Sequence, residues 1–220
     1  MQTQNIRRIA ITFICALVLS LAFGLVAKPT YAQSDARQVE QGLKKINSND
    51  EANLRKKLIE PVDKLAPIAE IRNNMNNRIH TAQVLGEWPL LLAAYKQAIE
   101  LLPDSRYRNE LAVVLQQRGD FEEANYWVKE AIANAPNLGT ALAFTATLAR
   151  NYYLQGDGDS ANKVASKAFI EISKLGAEGG TVMTQARLKT TKALTYERLG
   201  KYVDGLREAS EAEAFARQSV

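Results

Sequence analysis

Two residue types central to site chemistry are nearly absent: the chain has one cysteine and one histidine. Cys15 lies in an apolar run near the N-terminus, so the chain beyond that run carries no thiol. Disulfide frameworks, thiolate metal sites and cysteine nucleophiles are thereby excluded from it. His80 by itself cannot build an imidazole metal cluster. No serine or aspartate stands in triad-like relation to it, so it reads as a groove or surface histidine rather than a base. A glycine-rich phosphate loop, a nucleophile elbow and an HExxH pair are also missing. Asp157-Gly158-Asp159 lacks the further alternate ligands and closing glutamate of an EF-hand, and reads as a widened turn. No cofactor and no metal is expected. An excess of one charge is lacking too. Of 28 basic and 24 acidic residues, Arg7, Arg8 and Lys28 belong to an N-terminal leader without acids, which leaves the remainder near neutrality. That balance argues against a nucleic-acid partner, whose affinity needs clustered, uncompensated cations.

What is present begins with that leader. Arg7 and Arg8 form a positive start, Ile9 to Ala27 is uninterrupted apolar sequence, and Thr30-Tyr31-Ala32 places small residues where a signal peptidase reads them. Residues 1–32 therefore read as a signal peptide, with cleavage after Ala32 and export to the periplasm or an equivalent lumen. Residues 9–27 are also long enough to cross a bilayer, so a retained membrane anchor is the alternative. The sequence after the arginines, Ile9-Ala10-Ile11, does not continue a twin-arginine motif, which favours the general secretory route. Thr12-Phe13-Ile14 ahead of Cys15 does not make a lipoprotein site.

Beyond the leader, apolar residues follow the three-and-four spacing of helices. Ile68, Ile71, Met75, Ile79, Ala82 and Leu85 form one stripe, which Pro67 opens and Gly86 ends. After Pro89, Leu91, Leu92, Tyr95, Ala98, Ile99 and Leu102 form a second, stopped by Pro103. The resulting helical hairpin recurs. Leu111, Ala112 and Leu115 lead to Gly119-Asp120-Phe121, then Ala124, Val128, Ala131, Ile132 and Pro136. Leu148, Ala149 and Tyr152 precede Gly156, with Ala161, Ala165 and Ala168 after it. Ala193 and Tyr196 precede Gly200-Lys201-Tyr202, with Ala209 and Ala212 following. The turn glycines draw further apart toward the C-terminus, and Gly176-Ala177-Glu178-Gly179-Gly180 is the loop expected to absorb the excess. Ahead of the hairpins, Val39, Leu43 and Ile46 mark a short helix, and Ser48 with Glu51 forms a capping box for another through Leu54 and Leu58. This pair reads as an N-terminal cap for a repeat array.

The segment Leu111-Ala112, Leu115, Gly119-Asp120-Phe121, Glu123-Ala124, Ala131 and Pro136 closely resembles the tetratricopeptide repeat. The copies around Gly86, Gly156 and Gly200 are similar but degenerate: Leu91 or Gly205 stands for a packing alanine, and Lys192 for a leucine. The resemblance implies an all-α fold, a right-handed α-solenoid of about four hairpins. The chain then divides into a leader (1–32), a helical cap and connector (33–66) and an array (67–220) with hairpins at 67–103, 104–136, 137–176 and 181–218. Small residues such as Ala124, Ala131, Ala161 and Ala168 are expected to let the helix axes close to about 8–10 Å.

By the same resemblance, first helices line a concave groove that receives a peptide or a partner's helix. The family's groove positions fall on Asn73, Asn76, Asn77, His80 and Gln83 in the first copy and on Arg106, Asn109, Val113 and Gln116 in the second. Arg150 and Tyr153 follow in the third, and Arg187, Thr190 and Arg198 in the fourth. Amides and guanidinium groups of this kind satisfy the backbone and carboxylates of an extended ligand. The lysines of the chaperone-binding clamp are missing, which disfavours that ligand. Glu122-Glu123 and Glu208 with Glu211 are acid pairs, but on amphipathic helices such residues face water or pair with lysine. Trp88 and Trp127 are expected to pack between neighbouring helices. The expectation is a non-catalytic scaffold binding another protein or peptide segment, with assembly of an envelope or membrane complex as its setting. A membrane-anchored, self-associating module is the alternative.

Overall fold

The computed structural model describes residues 48–176 and 179–218. The leader, the expected helix through Val39, Leu43 and Ile46, and Ala177 and Glu178 of the loop lie outside the described residues. The described residues form an all-α helical repeat of nine helices: α1 (Ser48–Ile59), α2 (Ile68–Leu85), α3 (Trp88–Leu101), α4 (Ser105–Arg118), α5 (Phe121–Ala133), α6 (Leu138–Gln155), α7 (Gly158–Ser173), α8 (Gly179–Arg198) and α9 (Tyr202–Gln218). Gly179 and Gly180, expected in a loop, instead make the first turn of α8. An end turn tolerates glycine better than the helix interior, where the cost is roughly 1 kcal/mol each.

Each hairpin turns by the same device. Gly86, Gly119, Gly156 and Gly200 all adopt left-handed φ values, between 66° and 89°. At the second hairpin the Gly119 amide donates to the Gln116 carbonyl at 3.2 Å and the Asp120 amide to Leu115 at 3.0 Å. This is the paired closure of a Schellman motif, and the same two bonds recur at the other three turns. The starts of α4, α6 and α7 are fastened by acidic or amide side chains. Asp104, Asn137 and Asp157 accept from the amides of Arg106, Thr140 and Ser160. Asp157 is thus a helix cap, which accounts for the aspartate-glycine pattern there.

Packing follows the small residues. Ala124, Ala131 and Ala161 are fully buried and Ala168 nearly so. One large cluster, with Met75, Leu111, Leu115 and Val128 at its centre, joins the first two hairpins to α6. A second, around Ala149, Ala165, Ile172 and Leu188, joins the third hairpin to α8. The last hairpin departs from this pattern. Between α8 and α9 the Lys189 ammonium lies 2.8 Å from Glu208 and 2.6 Å from Glu211, and Lys192 lies 2.9 Å from Glu208. Lys189 and Glu208 are both buried, and the Lys189 ammonium sits 4.3 Å over the Phe169 ring. Burial pushes the Glu208 carboxyl up, but hydrogen bonds from Lys189 and Lys192 outweigh it and hold the group below its usual range. Lys192, where the resemblance expects leucine, is therefore an ion-pair residue.

From α4 onward the first helices pack on one another, α4 on α6 and α6 on α8, whereas no comparable packing joins α2 to α4, α3 to α5, α5 to α7 or α7 to α9. Over α4, α6 and α8 the first helices therefore form the inner layer, and α1 closes the N-terminal end against α2.

Candidate interaction face

Four polar links tie the first helices together. The Tyr107 hydroxyl of α4 donates to Asn76 of α2 at 2.8 Å, and Gln116 of α4 donates to the Thr147 carbonyl of α6 at 3.0 Å. From α8, Arg187 donates to the Thr147 hydroxyl at 3.0 Å and Arg198 to the Tyr153 carbonyl at 2.5 Å. The Arg198 guanidinium also stacks 4.2 Å over the Tyr153 ring, a cation–π contact that holds both side chains on the surface of the inner layer.

The groove positions expected from sequence divide into three groups. On α2, Asn73, Asn76, Asn77, His80 and Gln83 are all exposed, and they offer a run of amides and one imidazole to solvent. Asn77 also borders a polar hollow between α1 and α2. A second group is held part-way in. Arg106 is exposed but tied to Asp104 by a fork whose shortest arm is 2.6 Å, and Val113 and Asn109 are half-buried. The Asn109 side-chain carbonyl is buried with no hydrogen-bond partner among the described residues. Arg150 and Arg187 are half-buried neighbours on α6 and α8. Burial pushes both guanidinium groups down, and the Arg150 charge adds to the effect on Arg187, which falls to about 10.

Two members of the expected set are corrections. Thr190 is buried and its hydroxyl donates to the Ala186 carbonyl one turn back. Gln116 is buried as well, its amide engaged by α6. Both belong to the packing of the array and present no donor to a ligand. The tryptophans divide likewise. Trp127 is half-buried, donates to Glu123 at 3.2 Å and meets Tyr126 edge to face. Trp88, at the very start of α3, is 43% exposed and does not pack as expected. The acid pairs are occupied: Glu123 takes Lys96 at 3.0 Å, and Glu208 and Glu211 take the lysines described above.

Two buried polar residues outside the expected set have structural roles. Arg78, buried on α2, donates to the carbonyls of Leu58 at 3.1 Å and Glu60 at 2.5 Å, and to Asn74 at 2.7 Å. It thereby satisfies the last carbonyls of α1 and docks the cap. Asn151, fully buried on α6, donates to the Phe121 carbonyl and to Asn125 of α5, each at 2.8 Å. The available signal was register: each polar residue stands in or beside a stripe of apolar positions. Among the described residues no three His, Cys, Asp or Glu side chains gather to hold a metal ion, and no helix is long and apolar enough to cross a membrane.

The described residues define an α-helical repeat protein whose first helices α4, α6 and α8 pack as an inner layer. Its fold is similar to that in the crystal structure of BtubC (BKLC) from P. vanneervenii, with a TM-score of 0.60 over 96% of this chain and 90% of that chain. The sequence identity is 15%, so the likeness concerns the fold alone. No protein-family model matches the chain, and no curated protein does.

Proposed function

We propose that the chain is a tetratricopeptide-type, non-catalytic scaffold that holds a segment of another protein along its inner face. Its place is the periplasm or an equivalent lumen, in the assembly of an envelope or membrane complex. The observation that carries this reading is the run of exposed amides on α2, Asn73, Asn76, Asn77 and Gln83. Side-chain amides both donate and accept, and so satisfy the backbone N–H and C=O groups of an extended ligand. The leader supports export.

Affinity capture from envelope extract tests the reading. Wild-type protein is compared with a variant carrying Arg106→Ala, Asn109→Ala and Arg150→Ala together, with equal folding checked by circular dichroism and retained proteins identified by mass spectrometry. Partners held by the wild type and lost by the variant are expected. Equal retention by both moves binding off the inner face and contradicts the proposal.

A further inference from the structure

A crevice opens between α5, α6 and α7, lined by none of the residues of the interaction face. Its walls are α5 and α7, its floor is α6, and its volume is about 450 Å³, within the range of small-molecule pockets, about 300–1,000 Å³. Ile132, Leu142, Leu148, Val164 and Ala168 line it. All five are buried or half-buried, so the interior is apolar but open to one side.

The polar groups of the lining sort into two kinds. The Thr145 hydroxyl donates to the Ala141 carbonyl at 2.8 Å, and Glu171 is paired with Lys174 at 2.9 Å; neither is available to a ligand. Lys129 and Lys167 line the crevice from opposite walls. Both are exposed, and neither forms an ion pair or side-chain hydrogen bond among the described residues. An apolar trough with two uncompensated ammonium groups at its mouth is complementary to an apolar body carrying one negative head. The trough is elongated: Leu142, Thr145 and Leu148 succeed one another along α6 over roughly 9 Å at the helical rise, which suits a linear chain.

We infer that the crevice between α5, α6 and α7 is a binding site for a linear alkyl carboxylate, with the chain along α6 and the carboxylate between Lys129 and Lys167. The site is independent of the inner face. The inference does not rest on the protein-binding reading.

The test titrates the full chain with decanoate, below its micellar concentration, following methyl resonances of Ile132, Leu142, Leu148 and Val164 and measuring affinity by calorimetry. Saturable shifts confined to these methyls are expected. Lys129→Gln with Lys167→Gln should weaken binding about fivefold, the sum of two exposed charge contacts. Ala133→Phe, which adds bulk at an exposed lining position without touching the core, should remove the saturable component. Decylamine should bind more weakly than decanoate. Absence of saturable methyl shifts overturns the site. Binding that survives Ala133→Phe overturns its location, and decylamine binding as well as decanoate overturns its selectivity for an anion.

Discussion

Gly119 adopts a φ of +84°, and no atom lies within 4 Å of the place a Cβ would take. Substitution there meets no clash, and its cost is purely conformational. Gly119→Ala is expected to lower unfolding free energy by about 1 kcal/mol, read as a shift in urea midpoint without change in slope. Ala131 is the opposite case: fully buried between helices, it has no room for added methylenes. Ala131→Leu should cost about 1–3 kcal/mol through overpacking, and an unchanged thermal midpoint would show that small residues do not set this contact. Both sites were legible in the sequence, since a glycine after a helical stripe and alanines at fixed offsets carry their reasons locally. Thr190 and Gln116 were not. Whether a first-helix polar residue faces solvent or the next hairpin depends on the rotation of helices in contact, and the partner of Gln116 lies 31 residues away.

At the scale of elements, two assemblies are held by charged groups. Arg78 joins α2 to the end of α1, and its removal strands the carbonyls of Leu58 and Glu60. Arg78→Met should accelerate amide hydrogen exchange in α1 while leaving α4 and α5 unchanged; uniform acceleration would mean that the cap is not a separable element. The α8–α9 hairpin is held by Lys189, Lys192, Glu208 and Glu211. Lys189→Met removes one of the two lysines on buried Glu208 while Lys192 remains, and should destabilise by about 1.5–3 kcal/mol, the loss of a hydrogen bond to a charged group.

The same cluster sets a pH dependence. Because Glu208 is held below its usual range in the folded state, its contribution is present above the ordinary carboxylate range. It is lost as pH falls below the ordinary carboxylate range and through the lowered value. Burial pushes the Lys189 ammonium down, but Glu208 and Glu211 more than reverse this and raise it. Its contribution therefore persists through neutrality and is lost only in strong alkali, above about 10.5. Tryptophan fluorescence would miss this hairpin, since Trp88 and Trp127 lie elsewhere. Exchange of α9 amides with falling pH reads it directly, and α9 should open before α4 does. The sequence marked this hairpin as departing from the repeat at Lys192, but the reason lay in Glu208 on the opposing helix.

For the whole molecule, the polar links repeat with the architecture. Tyr107 reaches Asn76 across 31 residues, Gln116 reaches Thr147 across 31, and Asn151 reaches Phe121 across 30. Each spans about one hairpin, so successive repeats are tied by hydrogen bonds as well as by apolar contact. An array held this way presents a preformed surface and lowers the ordering cost of binding an extended segment. The four-hairpin plan was readable from the period of the stripes. The packing of α4, α6 and α8 as an inner layer and the apolar crevice between α5, α6 and α7 were not, because both arise from the angles between hairpins.

The central claim is that partners meet the first-helix side. Site-specific photocrosslinking in the cell tests it, with a benzophenone side chain placed at His80 or Gln83 on α2, or at Lys163 on α7. Partner adducts from the two α2 positions and none from Lys163 are predicted. Adducts from Lys163 with none from His80 or Gln83 would place binding on the outer helices and contradict the account.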